Sequence, residues 1–136
     1  MLFESIVFGP IKSRRLGTSL GVNVLPTEKK YCSFNCIYCE CGWNEIDTTI
    51  NVPLHKREDI KAALKMKFES NSCEENAKID SITFSGNGEP TLHPEISGIV
   101  DDVIELRNQY CPQAKITILS NSTNLLREDV FSALQK

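Results

Sequence analysis

Apolar and polar positions fall into blocks of two different periods along the chain. Short apolar runs at about residues 20–25, 79–85 and 115–119 read as strands. Leu20 and Leu25 bound the first, which Pro26 ends. Ile82 and Phe84 mark the second, Ile116 and Ile118 the third. Between them the apolar residues recur at helical spacing. Ile60, Ala63, Leu64 and Phe68 form one such face between about Lys56 and Ser70. Ile96, Ile99, Val100 and Val103 form another between about Pro94 and Tyr110. Pro94 suits the first turn of that helix, where a missing amide hydrogen loses no bond. A last helix begins near Arg127 and carries Val130, Phe131 and Leu134. Residues 72–78 read as a polar loop. Ile6, Val7 and Phe8 form a short extra strand that Gly9 and Pro10 cut off.

Strands that alternate with helices predict an α/β fold of parallel strands joined by helical crossovers, with residues 1–136 in a single domain. In such sheets chemistry gathers beyond the carboxyl ends of the strands. Three polar segments follow the three strands: a cysteine-rich stretch, then Ser85 to Pro90, then Ser120 to Asn124. Parallel packing predicts that all three share one rim.

Composition narrows the classes little. Hydrophobic residues make up 40% and charged residues 24%, as in ordinary globular domains, and the net charge of −3 favours neither nucleic acid nor an anionic membrane. RNA is not excluded, since a local basic patch can act within an acidic chain. No basic, apolar leader opens the sequence and no run is long enough to span a bilayer. Six cysteines without an export signal point to a reducing compartment, the cytoplasm.

Four of those cysteines carry most of the information. Cys32, Cys36 and Cys39 form a Cys-x3-Cys-x2-Cys run with Tyr38 before the last, and Cys41 follows closely. Three thiolates this close can wrap one 4Fe–4S cluster and leave one iron open to a small molecule. Zinc would need a fourth ligand, and Cys41 makes a cramped one. A redox dithiol of Cys36 and Cys39 leaves Cys32 without purpose. Cys41 reads as a free thiol under the loop, and Trp43 as packing for it.

The other motifs are weaker. Gly86, Asn87, Gly88 and Glu89 before Pro90 form a turn that a ligand could approach closely, able to meet an amino-acid head group. Glu89 could brace that turn or meet an ammonium. Ser120 and Asn121 open a run of hydroxyls and amides that suits a ribose diol or caps a helix. Ser13, Arg14 and Arg15 could grip a phosphate or carboxylate of a substrate. His55 and His93 read as structural, Cys73 and Cys111 as ordinary thiols.

Together these residues resemble the radical S-adenosylmethionine (SAM) superfamily. The cysteine run with Tyr38 matches its signature, and residues 86–90 look like its Gly-Gly-Glu-Pro motif with Asn87 inserted. Phe8 to Pro10, Ser13 to Gly17 and Ser19 to Asn23 are similar to one branch, the wybutosine-synthesis-like iron–sulfur oxidoreductases. The resemblance implies the N-terminal half of a partial (βα)6 TIM-like barrel, about three βα units, in a truncated core domain whose third strand presents an open edge. It implies a 4Fe–4S cluster on Cys32, Cys36 and Cys39. It implies SAM held by Tyr38, Gly86, Asn87, Gly88, Glu89, Ser120 and Asn121. The implied activity is reductive cleavage of SAM to methionine and a 5′-deoxyadenosyl radical, which abstracts hydrogen in the modification of tRNA or another substrate. The electron would come from a donor such as flavodoxin or ferredoxin. Two other readings stay open: a cluster-binding or electron-transfer module without catalysis, and a zinc-stabilised interaction domain.

Overall fold

A computed structural model describes residues 5–25, 54–121 and 124–136. Two strands, β1 (Val7–Ser13) and β2 (Gly17–Val22), come first. Helices α1 (Arg57–Ser70) and α2 (Cys73–Ala77) precede β3 (Ser81–Phe84), and α3 (Ile96–Tyr110) joins it to β4 (Lys115–Ile118). Helix α4 (Glu128–Leu134) closes the order.

The sheet runs β1-β2-β3-β4 and is mixed. β1 pairs antiparallel with β2, whereas β2, β3 and β4 pair in parallel. This corrects the expected half of a TIM-like barrel built from parallel strands alone. The cause is local. Three residues, Arg14 to Leu16, join β1 to β2, and so short a link permits only an antiparallel pair. Gly17 takes φ +70° at the end of that turn, where a β-carbon would fall 2.3 Å from Asp80 Oδ2.

β1 also continues past Gly9 and Pro10, which were expected to end a short strand. The β1–β2 register shifts between Phe8 and Ile11, and β1 is the sheet's outer strand, so Pro10 takes no donor from an inner ladder. Residues 72–78, expected as loop, hold α2. Ser72 Oγ accepts from Glu75 N at 3.1 Å while Glu75 Oε1 accepts from Ser72 N at 3.2 Å, a reciprocal cap that stabilises a helix too short to show an apolar period.

The sheet has two chemically distinct faces. Leu20, Val22, Ile82 and Phe84 are fully buried with Ile60, Leu64 and Phe68 of α1 and Ile99, Val103 and Leu106 of α3. The opposite face carries hydroxyls. Ser19 Oγ lies 2.7 Å from Thr83 Oγ1, Thr83 Oγ1 lies 3.2 Å from Ser81 Oγ, and Ser81 Oγ lies 3.2 Å from Thr117 Oγ1. Phe8 lies over Gly21 on this face, where any β-carbon would meet its ring. Alternation of side chains along each strand produces this division.

Helices α1 and α3 are joined by charge as well as by apolar contact. Arg57 donates from Nε to Asp102 Oδ2 at 2.7 Å and from its terminal nitrogen to Asp102 Oδ1 at 2.9 Å. Gly98 makes room for the guanidinium, whose nearest nitrogen would lie 2.4 Å from a β-carbon there. Among the described residues β4 has no neighbour beyond it, and a crevice of about 260 Å³ lies beside it, lined by Val100, Ile104, Ile116, Ile118 and Ala133 among others. No helix among the described residues is long and apolar enough to cross a membrane.

Candidate functional site at the carboxyl ends of the strands

The parallel ladder is in register, so Val22, Phe84 and Ile118 end their strands side by side. Ser85 N donates to Val22 O at 3.2 Å and Leu119 N to Phe84 O at 3.0 Å, which carries the alignment one residue further. Asn23, Gly86 and Ser120 then leave the sheet together.

Glu89 ties two of these exits into one body. Its carboxylate is 2% exposed. Oε1 accepts from Thr91 Oγ1 and from Ser120 Oγ, both at 2.6 Å, and Oε2 accepts from Asn121 N at 2.6 Å. Asn124 Nδ2 extends the network to Thr91 Oγ1 at 3.2 Å. A buried carboxylate survives without a cation when donors converge on it, and three of its roughly four acceptor positions are occupied here. Of the two roles open to Glu89 in the sequence, bracing is the one its bonds perform.

Asn23 ties the third exit to the same turn. Its side chain is fully buried, and Oδ1 accepts from Leu25 N at 3.2 Å and from Asn87 N at 3.3 Å. Gly86 and Gly88 hold φ of 137° and 143°, a region that favours glycine. A β-carbon on Gly86 would lie 2.6 Å from Asn23 Oδ1, so the glycine also admits the amide. Asn23 Nδ2 is buried and has no hydrogen-bond partner among the described residues.

The structure therefore brings together Gly86, Asn87, Gly88, Glu89, Ser120 and Asn121. It adds Asn23 and Thr91, which carried no role in the sequence analysis, and it includes Asn124, the last residue of the polar run that Ser120 opens. A single polar residue inside the apolar run 20–25 was the available signal for Asn23. Cys32, Cys36, Cys39, Cys41, Tyr38 and Trp43 lie outside the described residues, as do Ser122 and Thr123. Among the described residues no group of three or more His, Cys, Asp or Glu side chains is placed to hold a metal.

Ser13, Arg14 and Arg15 are not at this rim. Ser13 ends β1, and Arg14 and Arg15 lie in the turn that follows, at the amino-terminal ends of β3 and β4, where Ser13 Oγ accepts from Arg15 N and Leu16 N, each at 3.3 Å. Arg15 lines a separate crevice of about 320 Å³ with Asp80, Gln113 and Lys115. A strand's length, about 3.3 Å per residue, separates the two ends.

Two further described groups, His93 and, at the far end of the sheet, Cys111, are structural. His93 is buried between two bonds: Nε2 lies 2.8 Å from His55 O, and Nδ1 accepts from Glu95 N at 3.0 Å. Nδ1 must therefore be unprotonated and Nε2 must carry the hydrogen. Burial lowers the pKa of this imidazole below its ordinary value. Burial likewise pushes the Cys111 thiol up to about 11.

What the described part of the site offers a ligand is backbone. Two glycines, on either side of Asn87, let a small molecule approach the main chain between Gly86 and Glu89, and a buried donor with no partner among the described residues stands beside them.

Comparison with known proteins places the chain beside sequences that are longer. It is 41% identical over 131 residues to a UPF0026 protein of Methanocaldococcus jannaschii, which covers 93% of this chain and 36% of that protein. It is 35% identical over 133 residues to a UPF0026 protein of Helicobacter pylori, covering 96% of this chain and 39% of the relative. A protein named GTPase Obg from Brachyspira hyodysenteriae is 34% identical over 128 residues, 94% of this chain and 17% of its own length. No family model matches the chain, and no solved structure does. The chain thus spans about two fifths or less of the relatives that it resembles along nearly its whole length.

Proposed function

We propose that this chain holds a 4Fe–4S cluster and SAM, and that it serves as part of a radical SAM iron–sulfur enzyme. The observation that carries the reading is the Glu89 network. It fixes a glycine-rich turn and the Ser120–Asn121 backbone at one rim, which is also where β2 leads toward the cysteine run.

Cys32, Cys36 and Cys39 would hold the cluster, three thiolates leaving one iron for SAM. When bound, cluster and SAM together supply one-electron cleavage of the sulfonium and a carbon radical for hydrogen abstraction. The protein's own work is positioning and shielding. Glu89 keeps the turn rigid, so the backbone of residues 86–89 meets the amino group without reorganising. Ser120 and Asn121, held by the same carboxylate, would meet the ribose, and Tyr38 would contact the adenine. Flavodoxin or ferredoxin would supply the electron, in the cytoplasm, and RNA is a possible class of substrate.

A GTP-binding reading, prompted by one relative's name, finds no support in these residues. No Gly-x4-Gly-Lys-Ser/Thr run occurs in the 136 residues.

Anaerobic reconstitution tests the proposal. Protein that takes up four irons and changes its electron paramagnetic resonance on adding SAM supports it. A cluster indifferent to SAM would indicate a module without this chemistry, and colourless protein with stoichiometric zinc would indicate an interaction domain. Either result overturns it.

A further inference from the structure

A buried polar atom without a partner is rare in a folded protein and calls for a cause. Among the described residues Asn23 Nδ2 is such an atom, on a side chain with no solvent exposure. Its orientation is not free. Oδ1 is engaged by Leu25 N and Asn87 N, so the amide cannot flip without facing two donors with a third. The space it occupies exists because residue 86 has no β-carbon. The described residues therefore keep a fixed amide donor that none of them satisfies, between the glycine turn and the end of β2.

We infer that Asn23 is a binding residue whose Nδ2 donates a hydrogen bond to an anionic acceptor on the group held at this rim. The inference rests on the function proposed above. The acceptor is either a sulfur of the cluster or the carboxylate of SAM, both of which reward a donor buried away from water. A donor on cluster sulfur stabilises the reduced, more negative state; a donor on the carboxylate tightens SAM.

The test is Asn23→Asp, which keeps an acceptor for Leu25 N and Asn87 N but exchanges the donor for a negative charge, beside Asn23→Ala, which removes the donor without adding charge. Wild type and both variants are reconstituted anaerobically. The cluster's midpoint potential is measured without SAM, and the SAM dissociation constant is then measured by titration. A lower potential in both variants identifies cluster sulfur. An unchanged potential with SAM bound about 10- to 100-fold more weakly by both identifies the carboxylate, the range expected for one charge-assisted bond. Either supports the inference. A change in potential or in SAM affinity confined to Asn23→Asp is the effect of its charge and overturns the inference. Loaded variants indistinguishable from wild type in both readings overturn it and leave the proposed function standing. Wild-type protein that takes up no iron overturns both. Should Asn23→Asp fail to fold, Asn23→Ser, which keeps a small hydroxyl acceptor but cannot reach as far, is read by the same two measurements.

Discussion

Truncating Glu89 should disconnect the two ends of the rim, and the size of the effect follows from its bonds. Glu89→Ala takes from Asn121 N a buried acceptor at 2.6 Å, a loss of about 1–3 kcal/mol. Thr91 and Ser120 lose charge-assisted bonds, but hydroxyls can turn, and Thr91 Oγ1 already accepts from Asn124 Nδ2. Relief of a buried charge offsets part of this. The net expectation is about 3 kcal/mol. Glu89→Gln keeps the shape: its oxygen can face Asn121 N while its NH2 faces the two hydroxyls, which reverse and accept. Only the charge is lost, for about 1 kcal/mol. Urea unfolding followed by circular dichroism reads both. With a slope of about 1–2 kcal/mol per molar for a domain this size, the alanine midpoint should fall by about 1.5–3 M and the glutamine midpoint by about half a molar to one. An alanine variant within about 1 kcal/mol of wild type, or a glutamine variant as damaged as alanine, would refute the bracing role.

Other outcomes follow from single features. Cys36→Ala should abolish a stable cluster on reconstitution while Cys41→Ala spares it; equal iron loss in both would make Cys41 a ligand. His93 is held neutral, with its pKa below the ordinary 6.5, so its stabilisation is full above about pH 6.5 and is lost as the pH falls below it. The urea midpoint should therefore drop between pH 7.5 and 5.5, and His93→Gln should flatten that drop. Asp129, held below its usual range by Arg127, loses its contribution only under about pH 3.8, outside this window. Asp102→Ala should cost about 1–2 kcal/mol in urea, partly masked by high salt, because Arg57 is 40% exposed although its partner is 11% exposed. Maleimide at pH 8 should label exposed Cys73 and leave Cys111 unmodified, as peptide mapping by mass spectrometry would show.

The elements legible in the sequence were those with a long apolar period. Residues 56–70 and 94–110 each repeat their apolar positions over several turns, and α1 and α3 lie there. The strands were harder to bound. The first was placed at residues 20–25, but β2 is Gly17–Val22, because Gly17, Thr18 and Ser19 look like turn residues until their partners on β3 are known. The antiparallel hairpin was missed for the same reason: Gly9 and Pro10 are strand breakers in isolation, and only the outer position of β1 makes them harmless. At the site, the glycines and Glu89 were legible as a motif. That the carboxylate would spend its bonds on Thr91, Ser120 and Asn121 was not, since this depends on two loops about thirty residues apart meeting at hydrogen-bond distance.

The hydroxyls of Ser19, Ser81, Thr83 and Thr117 have a consequence for precision. Strand β3 is buried on both sides, by hydrocarbon on one and by mutually bonded oxygens on the other. Sliding it by a single position would drive Ile82 and Phe84 among the oxygens and thrust Ser81 and Thr83 into the hydrocarbon, both unfavourable. The strand is thereby indexed like a key in a lock, and the height at which its following loop emerges is set to well under the 3.3 Å of one step. Contacts of 2.6 Å between loops so far apart in the chain demand that tolerance.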